Sequence, residues 1–87
     1  MLEKNPNSAM ALNLKAAIEM KQGKLDAAEE TLDKVISTNP RNYSAYYNMA
    51  MLLLQKGEGN KTYAKRYYET GRALGGPENK NLEAMLK

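Results

Sequence analysis

Apolar residues recur at helical spacing through most of this chain, with charged and polar residues between them. The clearest example predicts a helix from Leu25 or Asp26 to about Thr38. Its inward positions follow the i, i+4, i+7 and i+8 spacing of one helix face, and they are Ala28, Leu32, Val35 and Ile36. The acidic residues of this segment take the opposite, solvated face.

The same periodicity predicts three helices further along, over about 43–56, 61–74 and 78–87. Asn42 and Asn60 stand where side chains cap the first two. The inward residues are Tyr46, Met49, Ala50 and Leu53, then Ala64, Tyr68, Gly71 and Leu74, and finally Leu82, Met85 and Leu86. Gly71 lies inside a helix, where glycine costs up to about 1 kcal/mol relative to alanine. We therefore expect close packing against a neighbouring helix there.

A helix is also predicted from about Ser8 to Gln22, capped by Asn7 or Ser8 and ended by Gly23, but its register has two solutions. Counting back from the glycine buries Lys15 and Glu19. A shift of one residue instead buries Ala11, Leu14, Ala17 and Ile18. Burying an unpaired lysine and glutamate is costly, so we favour the second register.

An internal repeat is visible in two Asn-Pro pairs, which end at Pro6 and Pro40 and are 34 residues apart. Proline disfavours helix in the residue before it, so each pair marks a helix end. If the parallel holds, residues 1–6 are the end of an upstream repeat helix, and the chain is a piece of a longer array. The remaining organisation is 7–40 for one repeat, 41–76 for the next and 77–87 for a capping helix.

The second repeat carries a family resemblance. Its small and aromatic residues match the tetratricopeptide signature, and they are Tyr46, Met49, Ala50 and Leu53 followed by Ala64, Tyr68 and Gly71. The sequence therefore resembles the tetratricopeptide-repeat (TPR) family. The resemblance implies an all-α fold, an α-solenoid of two stacked antiparallel helical hairpins with a C-terminal capping helix.

Composition narrows the function. The chain of 87 residues has no cysteine or histidine, so the usual zinc ligands are missing, and no cofactor is expected. Its net charge of +3 comes from 13 basic and 10 acidic side chains that are interspersed. The longest apolar run, 49–54, is far below the ~20 residues of a membrane span, so no membrane insertion is expected. No combination of nucleophile and base indicates catalysis, and we expect no enzyme.

The resemblance implies a protein–protein interaction scaffold that binds a peptide or a partner helix on its concave surface. Mapped onto this chain, that surface comprises Leu12, Asn13, Ala16, Met20, Ser44, Tyr47, Asn48, Met51 and Gln55. Asn13 and Asn48 are expected at equivalent repeat positions, where amides can match a peptide main chain. The family's clamp for C-terminal carboxylates is disfavoured, because Leu12 and Ala16 replace its lysine and asparagine.

Two other functions stay open. The chain could be a structural module that packs within a larger array or forms a homo-oligomer through its N-terminal edge. More weakly, six tyrosines between 43 and 68 with nearby basic residues could bind nucleic acid, although the core positions of Tyr46 and Tyr68 argue against it. The identity of a protein partner does not follow from the sequence.

Overall fold

The computed structural model describes residues 9–86, which form five α-helices. The helices are α1 (Ala9–Lys21), α2 (Leu25–Thr38), α3 (Tyr43–Lys56), α4 (Lys61–Ala73) and α5 (Lys80–Leu86). A short 3₁₀ turn, Glu58–Asn60, leads into α4, and no strand occurs within residues 9–86. The bounds agree with the periodicity of the sequence to within a few residues at each end.

The helices pack as two hairpins. Helix α1 lies against α2, α3 lies against α4, and contacts between α2 and α3 stack the two pairs. Helix α5 packs on α4 after the second hairpin. The predicted all-α architecture, two stacked hairpins closed by a C-terminal helix, is confirmed.

Glycines end two of the helices in the same way. Gly23 has a φ of 80°, its N–H donates to the Met20 carbonyl at 3.1 Å, and the Lys24 N–H donates to the Glu19 carbonyl at 2.8 Å. This is the Schellman arrangement, in which a left-handed residue lets the last carbonyls find donors. Helix α4 ends alike at Gly75, whose φ is 101°. A side chain would strain either position.

Asparagines cap two helix starts, but one predicted cap is wrong. The Asn42 side chain accepts from the Ala45 N–H at 3.0 Å, as expected. Asn60 makes no capping bond within residues 9–86, because the 3₁₀ turn gives it φ −96° and ψ 7° instead of the extended backbone of a cap. Asn79 caps α5 by accepting from the Leu82 N–H at 2.9 Å, which the sequence analysis missed. The caps predicted at Asn7 or Ser8 lie outside the described residues.

Two buried clusters form the core, and α3 contributes to both. The first joins α1, α2 and α3 through Leu12, Ala16, Met20, Ala28, Leu32, Val35, Ala45, Met49 and Leu52. The second joins α3, α4 and α5 through Tyr47, Ala50, Ala64, Tyr68, Leu82 and Leu86. Met85, which we expected inside, is 48% exposed, because the short α5 turns only Leu82 and Leu86 toward the hairpin.

The register that we favoured for α1 is wrong. Leu14 and Ile18 are 63% and 48% exposed and Ala11 is exposed, whereas Leu12, Ala16 and Met20 are buried. The expected penalty does not arise, since Lys15 stays exposed. Glu19 is half-buried and accepts a hydrogen bond from the Thr31 hydroxyl at 2.9 Å. Because the Glu19 carboxylate is hydrogen-bonded, its burial no longer argues against the register counted back from Gly23.

Candidate partner-binding surface

The residues predicted to bind a partner fall into two groups. Leu12, Ala16, Met20 and Tyr47 are buried in the core and present almost no surface. The residues that keep exposure are Asn13, Ser44, Asn48, Met51 and Gln55. Binding at any of them stays a prediction, and only the second group offers side chains to a ligand without rearrangement of the core.

Four of the exposed residues form a row along α3, which we name the α3 row: Ser44, Asn48, Met51 and Gln55. They follow the i, i+4, i+7 and i+11 spacing of one helix face. Ser44 and Gln55 at its ends are exposed, while Asn48 and Met51 in its middle are half-buried. Met51 also packs against both core clusters, so its position is fixed from below.

A ladder of three amides ties α1 to α3 beside this row. The Asn13 side-chain nitrogen donates to the Asn42 amide oxygen at 3.1 Å, and the Asn48 nitrogen donates to the Asn13 oxygen at 3.4 Å. Asn42 is also the cap of α3. Asn13 and Asn48 are 35 residues apart, one more than the repeat, so they are partners and not equivalent positions. The contribution of Asn42 was missed, although its predicted capping role placed it at the start of α3.

Asn48 is the open end of this ladder. Its amide oxygen accepts no hydrogen bond from any described residue, and its one donated bond is long. Asn13, in contrast, uses both its nitrogen and its oxygen within the ladder. A side-chain amide has two donors and one acceptor group, so Asn48 keeps capacity for a main-chain amide of a ligand.

Tyr47 was expected at the surface and is 7% exposed. Its hydroxyl donates to the Pro77 carbonyl at 2.7 Å, and its ring centroid lies 5.1 Å from that of Tyr68. Burial raises the pKa of the Tyr47 phenol, and the nearby Arg72 opposes that effect. Tyr47 is buried because the turn after α4 covers its ring. The turn can come this close because Gly76 has no side chain: a Cβ there would lie 2.5 Å from the Tyr47 hydroxyl.

Tyr46, expected in the core, is only half-buried. Its hydroxyl donates to the Pro40 carbonyl at 2.9 Å, and its ring centroid is 6.1 Å from that of Tyr67. The two neighbouring tyrosines therefore tie the start of α3 to the segments that follow α2 and α4. Both tyrosines therefore help to fix the position of α3, the helix that carries the α3 row.

Helix α5 is attached by a polar contact above its apolar one. The Tyr68 hydroxyl donates to the Glu83 carboxylate and accepts from the Asn79 N–H at 3.0 Å. Glu83, which we expected to point outward, is half-buried. Burial raises the pKa of the Tyr68 phenol, and the hydrogen bond to Glu83 raises it further.

Charge is concentrated on the outer face of α2. Lys56 of α3 contacts Glu29 at 2.5 Å and Asp26 at 3.2 Å, and these hydrogen bonds raise the pKa of the lysine. Burial, followed by repulsion from Glu29 and Glu30, raises the pKa of the Asp33 carboxyl. No group of side chains suited to hold a metal ion occurs in the described part of the chain. None of its helices is long and apolar enough to cross a bilayer.

Stacked antiparallel helical hairpins define a helical-repeat fold. A family model described as tetratricopeptide repeat matches residues 19–61, from the end of α1 to the first residue of α4. No curated protein and no solved structure matches the chain. The family-model match supports the tetratricopeptide-repeat family, whose repeats generally mediate protein–protein interaction or assembly and are typically not catalytic.

Proposed function

We propose that this protein binds an extended peptide or a partner helix along the α3 row, beside the amide ladder, without catalysing a reaction. The observation that carries the proposal is the open hydrogen-bonding capacity of Asn48 in the middle of an accessible row. The family supports the general class of function, since its repeats mediate protein–protein interaction or assembly. The partner itself is unidentified.

The row has the dimensions and chemistry of a short peptide site. Eleven helical steps separate Ser44 from Gln55, which gives a length of about 16 Å, enough for roughly five extended residues. Asn48 would bond the peptide main chain, and the flexible side chain of Met51 would adapt to an apolar residue beside it. Ser44 and Gln55 would contact the two ends.

The ladder lowers the entropic cost of such binding. Asn13, which is itself bonded to Asn42, holds the Asn48 side chain near one orientation before the ligand arrives. A group that is already ordered loses less conformational freedom on binding than a mobile one.

The test starts from peptides selected from a displayed random library on the wild-type protein. Their affinities are then measured by calorimetry for wild type, Asn48→Ala and Ser44→Arg. Removing the Asn48 amide should weaken binding by about 1–2 kcal/mol, or roughly 5- to 30-fold. The added arginine should block one end of the row. Tyr47→Ala is unsuitable because this buried ring supports the fold.

Thr70→Ala is the matched control, because Thr70 is an exposed residue of α4 outside the row. Circular dichroism verifies that each variant is folded. Peptides that bind wild type, Asn48→Ala and Ser44→Arg equally well would reject the α3 row as the site.

A further inference from the structure

Helix α1 is apolar on two opposite sides. Leu12, Ala16 and Met20 face the core, while Met10, Leu14 and Ile18 are 81%, 63% and 48% exposed. The exposed three follow i, i+4 and i+8 spacing and form one stripe. A helix that is apolar all round is typically covered all round. No element within residues 9–86 covers this exposed stripe.

The stripe forms part of a shallow depression, which we name the α1 outer face. It has a volume of about 410 Å³ and is lined by Ala11, Leu14, Lys15, Ile18, Glu19, Gln22 and Lys24. All seven come from α1 or the turn that follows it. None of them belongs to the α3 row.

The second hairpin shows what covers the equivalent surface. Ala45, Met49 and Leu52 of α3 are buried in the same cluster as Leu32 and Val35 of α2. Positions 34 residues earlier, one repeat length, are Ala11, Lys15 and Ile18. The α1 outer face is thus the counterpart of the surface on α3 that the amphipathic helix α2 occupies.

Charge distinguishes the two surfaces. Lys15 stands where α3 has the buried Met49, and Lys24 adds a second exposed ammonium to the depression. Neither lysine forms an ion pair within residues 9–86. The acid of this region, Glu19, already accepts from Thr31. An occupant of the α1 outer face would therefore need carboxylates opposite the two lysines, beside its apolar residues.

We propose that the α1 outer face binds an acidic amphipathic helix of a partner protein. The apolar row of that helix covers Ala11, Leu14 and Ile18, and its carboxylates lie against Lys15 and Lys24. This mode lays an apolar helix face into a groove, with anchors at i, i+3 or i+4 and i+7. It does not depend on binding at the α3 row, because the two surfaces share no residue.

The chain contains a probe of the required chemistry. A synthetic peptide of residues 25–38, the α2 sequence, carries the apolar residues Ala28, Leu32 and Val35 and the acids Asp26, Glu29, Glu30 and Asp33. Amide chemical shifts of the labelled full chain are followed as this peptide is added. We expect shifts in α1 and at Lys24, and weaker binding as salt is raised.

Variants make the assignment specific. Ile18→Glu and Lys15→Glu should each weaken binding of the peptide at least about tenfold, through lost apolar contact and charge repulsion. A peptide with its four acids replaced by lysine should bind the Lys15→Glu, Lys24→Glu double variant better than wild type. The substituted side chains are exposed, so folding should be retained, and circular dichroism verifies it. Thr70→Ala, at an exposed position of α4 outside both surfaces, should leave affinity for the peptide unchanged.

Three outcomes would overturn the proposal. One is the absence of shifts at millimolar peptide. Another is a set of shifts confined to the α3 row, or shifts throughout α3 that indicate that the peptide has displaced α2. The third is a concentration-dependent dimer, seen by sedimentation, that Leu14→Glu converts to monomer, because a second copy would then be the occupant. Loss of binding at the α3 row alone would reject the proposed function and leave this inference intact.

Discussion

Very little space separates α3 from α4 at Gly71. A Cβ added there would lie 2.5 Å from a ring carbon of Tyr47, and Gly71 itself is buried. The sequence predicted a close approach at this glycine, and the structure identifies the Tyr47 ring as the group that makes it necessary. The same ring is covered from the other side by Gly76, so two glycines define one aromatic pocket.

Replacing this glycine should therefore destabilise the protein. In Gly71→Ala, overpacking costs about 1–3 kcal/mol, and the better helix propensity of alanine returns up to about 1 kcal/mol. We expect a net loss of about 1–2 kcal/mol in the free energy of unfolding, measured by urea titration. Gly59→Ala is the control, because a Cβ at Gly59 meets nothing within 4 Å and should change little. Equal stability of both variants would contradict the close packing.

The residue scale also shows where sequence reasoning stopped. Ala28, Leu32, Val35, Met49 and Leu82 were placed in the core from spacing alone, and they are buried. Tyr46 was predicted in the core and Tyr47 at the surface, but the structure has Tyr47 as the buried one. Neighbouring positions on a helix differ by 100°, and the contact that buries Tyr47 is made with Pro77, 30 residues away. The register of α1 failed because spacing cannot show that Thr31 would pair with Glu19.

At the scale of elements, α5 depends on its neighbours. A helix of 7 residues is too short to be stable alone in water. Its order comes from burial of Leu82 and Leu86 and from the Tyr68 hydroxyl, which bonds both Glu83 and the Asn79 N–H. Loss of that hydroxyl should act on α5 before it acts on the hairpins.

Tyr68→Phe tests this dependence. The ring still fills the core, but Glu83 and the Asn79 N–H lose their partner, at a cost of about 1 kcal/mol. Amide hydrogen exchange across residues 80–86 should accelerate about fivefold, while exchange in α2 and α3 should stay near wild type. Tyr63→Phe, at a 58% exposed position, is the control. Unchanged exchange in α5 would show that apolar contacts alone hold it.

Helix α2 carries repulsion among its own acids. The folded pKa of Asp33 lies above its ordinary value because of burial and of Glu29 and Glu30. The folded chain therefore holds this proton more tightly than the unfolded chain, and the contribution of Asp33 to stability rises as pH falls through that raised pKa. At neutral pH the ionised Asp33 destabilises the helix.

Asp33→Asn should raise stability at pH 7 by about 0.2–0.5 kcal/mol for each like-charged neighbour that it relieves. The gain should shrink as the pH falls through the raised pKa, where the wild-type carboxyl takes up its proton. Urea midpoints measured at pH 7 and at a series of lower pH values test this. Asp26→Asn is the control: it removes an acid from the first turn and a contact with Lys56, so it should not stabilise. A gain independent of pH would exclude charge repulsion as the cause.

Most helix limits could be predicted because glycine, proline and capping asparagine mark them locally. The exception is the start of α4, where a 3₁₀ turn replaces the expected cap at Asn60. A turn of this kind depends on how the hairpin closes, and two glycines with one asparagine allow several geometries. Local residue preference therefore could not choose among them.

At the scale of the whole molecule, α3 unites the two halves. Ala45, Met49 and Leu52 enter the cluster with α1 and α2, while Tyr47 and Ala50 enter the cluster with α4 and α5. A destabilising change on one side of α3 should therefore also affect the cluster on the other side.

Fold class and helix order could be predicted because each repeat specifies its own pattern. The identity of a ligand for its outer surfaces could not, because such a ligand would lie outside the repeat.

Leu52→Ala measures the coupling. Leu52 is fully buried, and its truncation should cost about 2–5 kcal/mol, a large part of the stability of a small domain. Amide resonances of both hairpins should disappear at the same lowered urea concentration. Leu14→Ala, at a 63% exposed position, should change stability by less than about 0.5 kcal/mol. If α4 kept its wild-type midpoint, the hairpins would be independent units.

The confinement of all six tyrosines to residues 43–68, in a chain without tryptophan or phenylalanine, has an optical consequence. Tyrosine fluorescence therefore comes only from α3 and α4, and α1 and α2 do not emit. The α3 row lies on the helix that carries three of these tyrosines, so a ligand there should change the emitted intensity. A helix on the α1 outer face would bind almost silently. The intrinsic tyrosine fluorescence of the unlabelled protein should therefore distinguish a ligand on the α3 row from one on the α1 outer face.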